Sequence, residues 1–237
     1  MVGFRGEPFA RERLAGPSLD AAERLLWALL VRRMPGVADR VGRIVEVEAY
    51  GGPEDRASHA RAGHTARTAP MFGPAGHAYV YLVYGMHDCL NVVTGPDGAA
   101  SAVLIRAVEP VAGLDVMRTG LARRAAAREA RRGASSAFAR ATAGARPGGD
   151  QPGHRLATGP GRLCAAFEID RSFSGTDLCA ADGPLTLASG AVVDPASIVR
   201  TPRIGVGYAA PPWHAIAWRV LIAGNPSVSG PRAPASD

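Results

Sequence analysis

The period of the apolar positions changes several times along the chain, and each change predicts an element. Ser18 stands ahead of LDAAERLLWALL, where Leu19, Leu25, Leu26 and Leu29 recur at roughly helical spacing, so a helix with Ser18 as N-cap is expected. In the following LLVRRMPGVADRVGRIVEVEAYGG, two β-compatible runs flank a Pro-Gly turn signal and predict a hairpin. Along its second run, from Ile44 to Tyr50, alternation puts Val45, Val47 and Ala49 on one face and Ile44, Glu46, Glu48 and Tyr50 on the other. Two carboxylates and an aromatic sharing a face read either as a solvated strand face or as the wall of a pocket.

A loop rich in His, Arg, Gly and Pro covers Gly51 to Gly76 and carries His59 away from that face, in a position to close a pocket. AYVYLVYGMHDCLNVV then reads as a strand pair interrupted at Gly85, and SAVLIRAVEP as a further strand. Tyr84 falls at the tip of this pair, either as a packed surface residue or as a wedge that fills a gap in a base stack. Asn91 is a polar residue in an apolar strand, for which a local hydrogen-bonding role is the plain reading. From Val111 the pattern turns helical, and Ala122 to Arg155 becomes low-complexity Ala/Arg/Gly sequence, read either as a basic helix with a floppy tail or, the reading preferred, as a flexible insertion. LATGPGRLCAAFEI predicts a Gly-Pro turn into a short helix, and TPRIGVGYAA and AIAWRVLIAG read as strands. The reading is one domain over 1–237, without repeats, with loose termini at 1–17 and 230–237. By itself the pattern supports a mixed, β-rich fold.

Composition narrows the class. With 47% hydrophobic and 20% charged residues, the 237-residue chain lies near the globular average. Leu25 to Val31 is too short to span a bilayer and is followed by arginines, so neither a signal peptide nor a membrane partner is expected. Cys89, Cys164 and Cys179 have no paired spacing, which fits reduced thiols in a cytoplasmic protein. The net charge is +6, and all 27 basic side chains are arginine. Guanidinium forks suit phosphate oxygens, so the excess points to nucleic acid or to a generic Arg-rich surface. The absence of lysine excludes a Walker A loop, a pyridoxal Schiff base and a lysine-based abasic lyase.

The blocks EVEAYGGPEDRASHA, MFGPAGHAYVYLVYGMHDCLNVV, AVLIRAVEPVAG, GPGRLC and TPRIGVGYA together resemble the alkyladenine (3-methyladenine) DNA glycosylase family, from about Leu19 to Ser229. The resemblance implies a single α+β domain, a curved, mostly antiparallel sheet with surrounding helices and a DNA-inserting β-hairpin. It implies an enzyme that flips alkylated or deaminated purines out of duplex DNA and hydrolyses the N-glycosidic bond in base excision repair. On the matching positions, Glu48 is the general base and Arg106 lies near the flipped nucleotide's phosphate and the attacking water. Tyr50, His59 and Tyr81 are the aromatic walls, Asn91 the gate against the amino group of guanine, Tyr84 the wedge, and Met71 a contact beside the partner strand. No cofactor and no metal is implied; the partner is damaged double-stranded DNA, bound from the minor-groove side by a monomer, in a soluble, nucleoid-associated protein. Two departures stand out. Asp88 occupies a position where the family often has an aromatic residue, and is expected to face phosphates; HTARTAP lacks a proline and an asparagine common in relatives. A noncatalytic lesion-binding protein of the same fold is the alternative, which loss of Glu48 would have favoured. A small-molecule transferase domain would need a phosphate loop that GPGRLC is too short to supply.

Overall fold

A computed structural model of the chain describes residues 3–133 and 151–230. A single domain is built on a mostly antiparallel, open eight-stranded sheet with three α-helices. In chain order the elements are α1 (Ser18–Leu25), β1 (Leu29–Arg32), β2 (Arg40–Tyr50), β3 (Ala78–Val83), β4 (His87–Thr94), β5 (Ser101–Ala112), α2 (Leu114–Gly133), α3 (Pro160–Phe167), β6 (Leu185–Ala188), β7 (Ile198–Thr201) and β8 (Arg219–Ile222). The sheet order is β3-β4-β5-β2-β1-β6, and β8, paired with β7, joins beside β2.

The long central strand β2 changes partner halfway along. Its first half pairs with β1, through Arg40 to Arg43, and its second half pairs with β8, through Glu46 to Glu48. β5 runs along the other side throughout. One face of the sheet buries Ile44, Val45, Val47, Leu90, Val92, Val103 and Ile105 against Ala21, Ala22 and Leu25 of α1 and Leu163, Ala166 and Phe167 of α3.

Several boundaries differ from expectation. The first helix stops at Leu25 because Trp27, with φ 65°, turns its N–H to the carbonyl of Ile44 at 2.8 Å; sheet pairing takes the residues that helical spacing would have kept. Ser18 is a buried residue inside α1, and Pro17 holds the N-cap position without a side-chain bond. The expected insertion from Ala122 is corrected in its first part: α2 continues unbroken to Gly133, and Gly153–Arg155 forms a single 3-10 turn. The remainder, 134–150, lies outside the described residues, as do 231–237 of the loose C-terminus. The expected loose start is corrected from Pro8 onward. Phe9 is buried, Pro8 bridges to Ala188, and both Nη2 contacts of Arg11 to Asp177 are 2.7 Å. Of the two blocks expected as strands in the last third, AIAWRVLIAG holds the strand Arg219–Ile222, whereas TPRIGVGYAA contributes only Thr201 to Ile198–Thr201; RIGVGYAA, broken by Gly205 at φ 82°, forms turns. Among the described residues no helix is long and apolar enough to cross a membrane.

Candidate functional site

The site begins with two irregularities in the ladder between β2 and β5. Ile44 pairs with Val108 but Glu46 with Ala107, so Val45 is an extra residue on β2; Val47 then pairs with Ile105, so Arg106 is an extra residue on β5. Bulges of this kind re-aim side chains. Ile44 joins the apolar core with Val45 and Val47, breaking the simple alternation, while Arg106 meets the carboxylates of β2. Both carboxylates are completely buried, so the solvated-face reading is excluded.

Glu46 and Glu48 are only two residues apart but have different surroundings. Glu46 Oε1 accepts from Arg106 Nε at 2.8 Å, Arg219 Nε at 2.7 Å and the Ser229 hydroxyl at 3.0 Å, and its Oε2 accepts the Ser229 N–H at 2.6 Å. A carboxylate offers about four acceptor sites, and Glu46 meets four donors, three of them on Oε1. Glu48 Oε1 accepts the Ile204 N–H at 2.7 Å and faces Arg106 Nη1 at 3.2 Å, whereas Oε2 receives only the Tyr50 hydroxyl at 3.0 Å. One acceptor site of Oε2 is left for a further donor. Burial pushes the Glu48 carboxyl above its ordinary value, against the opposing pull of Arg106, the Ile204 N–H and the Tyr50 hydroxyl.

Glu48 lines a cavity of about 470 Å³, within the usual range for a small-molecule site. Arg106, Tyr50, His59, Met71, Tyr81, Tyr84 and Asn91 line the same cavity, so the residues that the resemblance assigns to the site are brought together. His59 is held edge-on to Tyr81, with ring centres 4.4 Å apart, and its Nδ1 lies 3.1 Å from the Tyr79 hydroxyl. Burial, reinforced by Arg67 and Arg61, lowers its imidazole to about 4, so the ring is neutral at physiological pH. Asn91 is buried with its Nδ2 donating to the carbonyl of Tyr79 at 3.0 Å, which fixes the amide in the wall. Met71 is 3% exposed, packs with Tyr79 and Ala60, and lines the cavity.

Tyr84 stands at the tip of the β3–β4 hairpin, 81% exposed. Tyr84 and Gly85 both have positive φ, 52° and 65°, and the Met86 N–H closes the turn on the Val83 carbonyl at 3.0 Å. Positive φ at both positions suits the twist of a tight hairpin, at a cost for tyrosine of about 1 kcal/mol. The hairpin is anchored beside its turn: a side chain at Gly161 of α3 would meet His87 Nδ1 at 2.7 Å, so only glycine lets the two elements approach this closely. Asp88 does not face outward as expected. It is buried and paired with Arg124 of α2 at 2.5 Å.

Sequence reasoning missed the residues behind the cavity. Arg203 is fully buried, holds Asp55 through two bonds, donates to the Ala49 carbonyl at 2.9 Å, and lies 4.7 Å from the centre of the Tyr50 ring. Its neighbour Ile204 supplies the N–H to Glu48. TPRIGVGYA was visible as a block, but the partner Asp55 is 148 positions away and no local pattern joins the two.

This pocket, with a buried carboxylate, a guanidinium and aromatic walls on an antiparallel sheet, sits beside an exposed aromatic hairpin in the manner of a base-excising hydrolase. Residues 12–226 match the model of the methylpurine-DNA glycosylase family, and the chain belongs to that family, whose members are hydrolases of N-glycosyl bonds. It is 44% identical to a protein of Streptomyces avermitilis over 95% of this chain and 92% of the relative. It is also 44% identical to one of Methanocella arvoryzae over 92% and 93%, and 43% identical to one of Myxococcus xanthus over 91% and 90%. Each of the three carries the name "Putative 3-methyladenine DNA glycosylase".

Proposed function

We propose that this chain flips alkylated or deaminated purines out of duplex DNA and hydrolyses their N-glycosidic bond, leaving an abasic site. The observation that carries the reading is the asymmetry of the two buried glutamates: Glu46 meets four donors and is not part of the cavity lining, while Glu48 meets three and stands in the cavity wall. An ionised Glu48 accepts a proton from water at that site and places negative charge near the oxocarbenium-like sugar as the bond to the base breaks. Arg106 holds the carboxylate in place, and in this reading its guanidinium also meets the nucleotide phosphate. The Tyr50 phenol, kept protonated by burial and by the charge of Glu48, serves as a donor and as a wall.

Flipping costs a few kcal/mol of unstacking. Tyr84, inserted from the exposed hairpin tip, fills the gap, and stacking on Tyr50, His59 and Tyr81 offsets the remainder. The Asn91 amide excludes the amino group of guanine, and Met71 shapes the wall beside it. The protein acts as a monomer, and without lysine the reaction stops at the abasic site.

The test is single-turnover release of hypoxanthine, ethenoadenine and 3-methyladenine from duplex DNA by the native protein and by Glu48→Gln. Release by the native protein and a fall of about 10²–10⁴ in the variant are expected. Lesion binding without release of any base would instead identify a noncatalytic recognition protein.

A further inference from the structure

The charges around the cavity balance except at its rim. Inside, Glu46 and Glu48 face Arg106 and Arg219, and Asp55 faces Arg203. At the rim Arg67 lies with its Nη2 3.4 Å from His59 Nε2 and its guanidinium carbon 5.9 Å from the centre of the Tyr81 ring. Arg61 sits 5.6 Å from the Tyr208 ring. Among the described residues neither rim arginine has a carboxylate partner; Arg61 donates to the Arg56 carbonyl instead.

The two stacking walls are thereby already occupied as cation–π partners. The guanidinium of Arg203 covers Tyr50 and that of Arg67 approaches Tyr81. A cation near a ring draws on the same quadrupole that a cationic base would use. His59, between them, is neutral, and with Nε2 turned to a donor it presents no negative charge.

We propose that Arg67 is a specificity-determining residue that biases the pocket toward neutral damaged purines, such as hypoxanthine and ethenoadenine, over cationic N-alkylated ones, such as 7-methylguanine. The inference rests on the glycosylase reading and deepens it. Arg67 acts in two ways: its charge repels a cationic base stacked on Tyr81, and its contact with Nε2 leaves the proton of His59 on Nδ1, facing Tyr79. A unit charge about 6 Å from the Tyr81 ring, with an effective dielectric between that of the protein surface and that of water, alters the relative binding of a cation stacked there by about three- to a hundredfold. Arg67 is exposed on a loop and outside the apolar core, so its replacement leaves the fold intact.

The experiment compares native protein, Arg67→Ala and Arg67→Lys in single-turnover release of hypoxanthine and 7-methylguanine from otherwise identical duplexes. Each rate is divided by the uncatalysed release, and binding to each duplex is measured alongside. The expected result is that Arg67→Ala raises the 7-methylguanine to hypoxanthine ratio by about five- to tenfold. Arg67→Lys should keep the native ratio, and the His59 ring of the alanine variant should titrate above its native value of about 4 by NMR. An unchanged ratio with equally weakened binding to both duplexes would overturn the proposal and make Arg67 a phosphate contact. Failure of the native protein to release either base is a different result, which removes the glycosylase reading itself.

Discussion

Arg106 divides its guanidinium between two carboxylates, giving Nε to Glu46 at 2.8 Å and Nη1 to Glu48 at 3.2 Å. The shorter contact goes to the glutamate that also binds Arg219 and Ser229. Glu46 thus fixes the arginine, and the arginine orients Glu48. This division gives two adjacent glutamates different tasks, and the tasks can be separated by mutation.

Glu48→Gln should slow base release by about 10²–10⁴ yet raise thermal stability near pH 8. The carboxyl is held above its ordinary value in the folded protein, so the fold binds its proton more tightly than the unfolded chain does. Its stabilising contribution is present below the unfolded pKa of about 4.3 and is lost as pH rises through the folded value. Melting curves of native and variant protein should therefore converge near pH 4 and separate above it, the variant being the more stable. Glu46→Gln should do the reverse: it leaves Arg106 and Arg219 buried without their shared carboxylate, and unfolding by urea should show a loss of about 3–5 kcal/mol.

The pH dependence of single-turnover release should carry one inflection on the acid side, from Glu48, with the rate falling as pH drops through a value above that of a free glutamate. His59 titrates at about 4, so no second inflection is expected between pH 5 and 8. An imidazole titration near 6.5 in the rate profile or by NMR would contradict the buried geometry.

Tyr84→Gly should stabilise the free protein slightly while impairing flipping. Glycine relieves the left-handed φ of 52° at the hairpin tip, which is worth about 1 kcal/mol. The same change removes the aromatic that fills the duplex. A small rise in Tm together with weaker fluorescence change of flipped ethenoadenine is the expected pair of observations.

Asp88→Asn should leave the salt dependence of DNA binding unchanged, because Asp88 points into α2 and not toward phosphates. Stability should fall by about 1 kcal/mol, since the half-exposed Arg124 limits what the pair contributes. A steeper salt slope in the variant, as expected when a repelling carboxylate is removed from a DNA-facing surface, would show that the acid does meet DNA.

The sequence by itself determined the elements whose signals are local. The Pro-Gly hairpin of β1 and β2, the β3–β4 pair turning at Gly85, and the short helix after Gly159 all lie where turn residues and periodicity put them. The convergence of Glu48, Tyr50, His59, Tyr81, Asn91 and Arg106 was legible through the family resemblance, not through any single motif. Tertiary structure decided the rest. Alternation could not distinguish Glu46 from Glu48, because the difference lies in Arg219, Ser229 and Ile204, more than 150 residues away along the chain. Helical spacing carried the first helix too far, because the pairing of Trp27 with Ile44 is a sheet contact that no helical window contains. Burial turned Asp88 inward and Met71 into the cavity wall for the same reason: exposure is set by what packs above a residue, and in this fold those partners come from α2 and from the loop after β2.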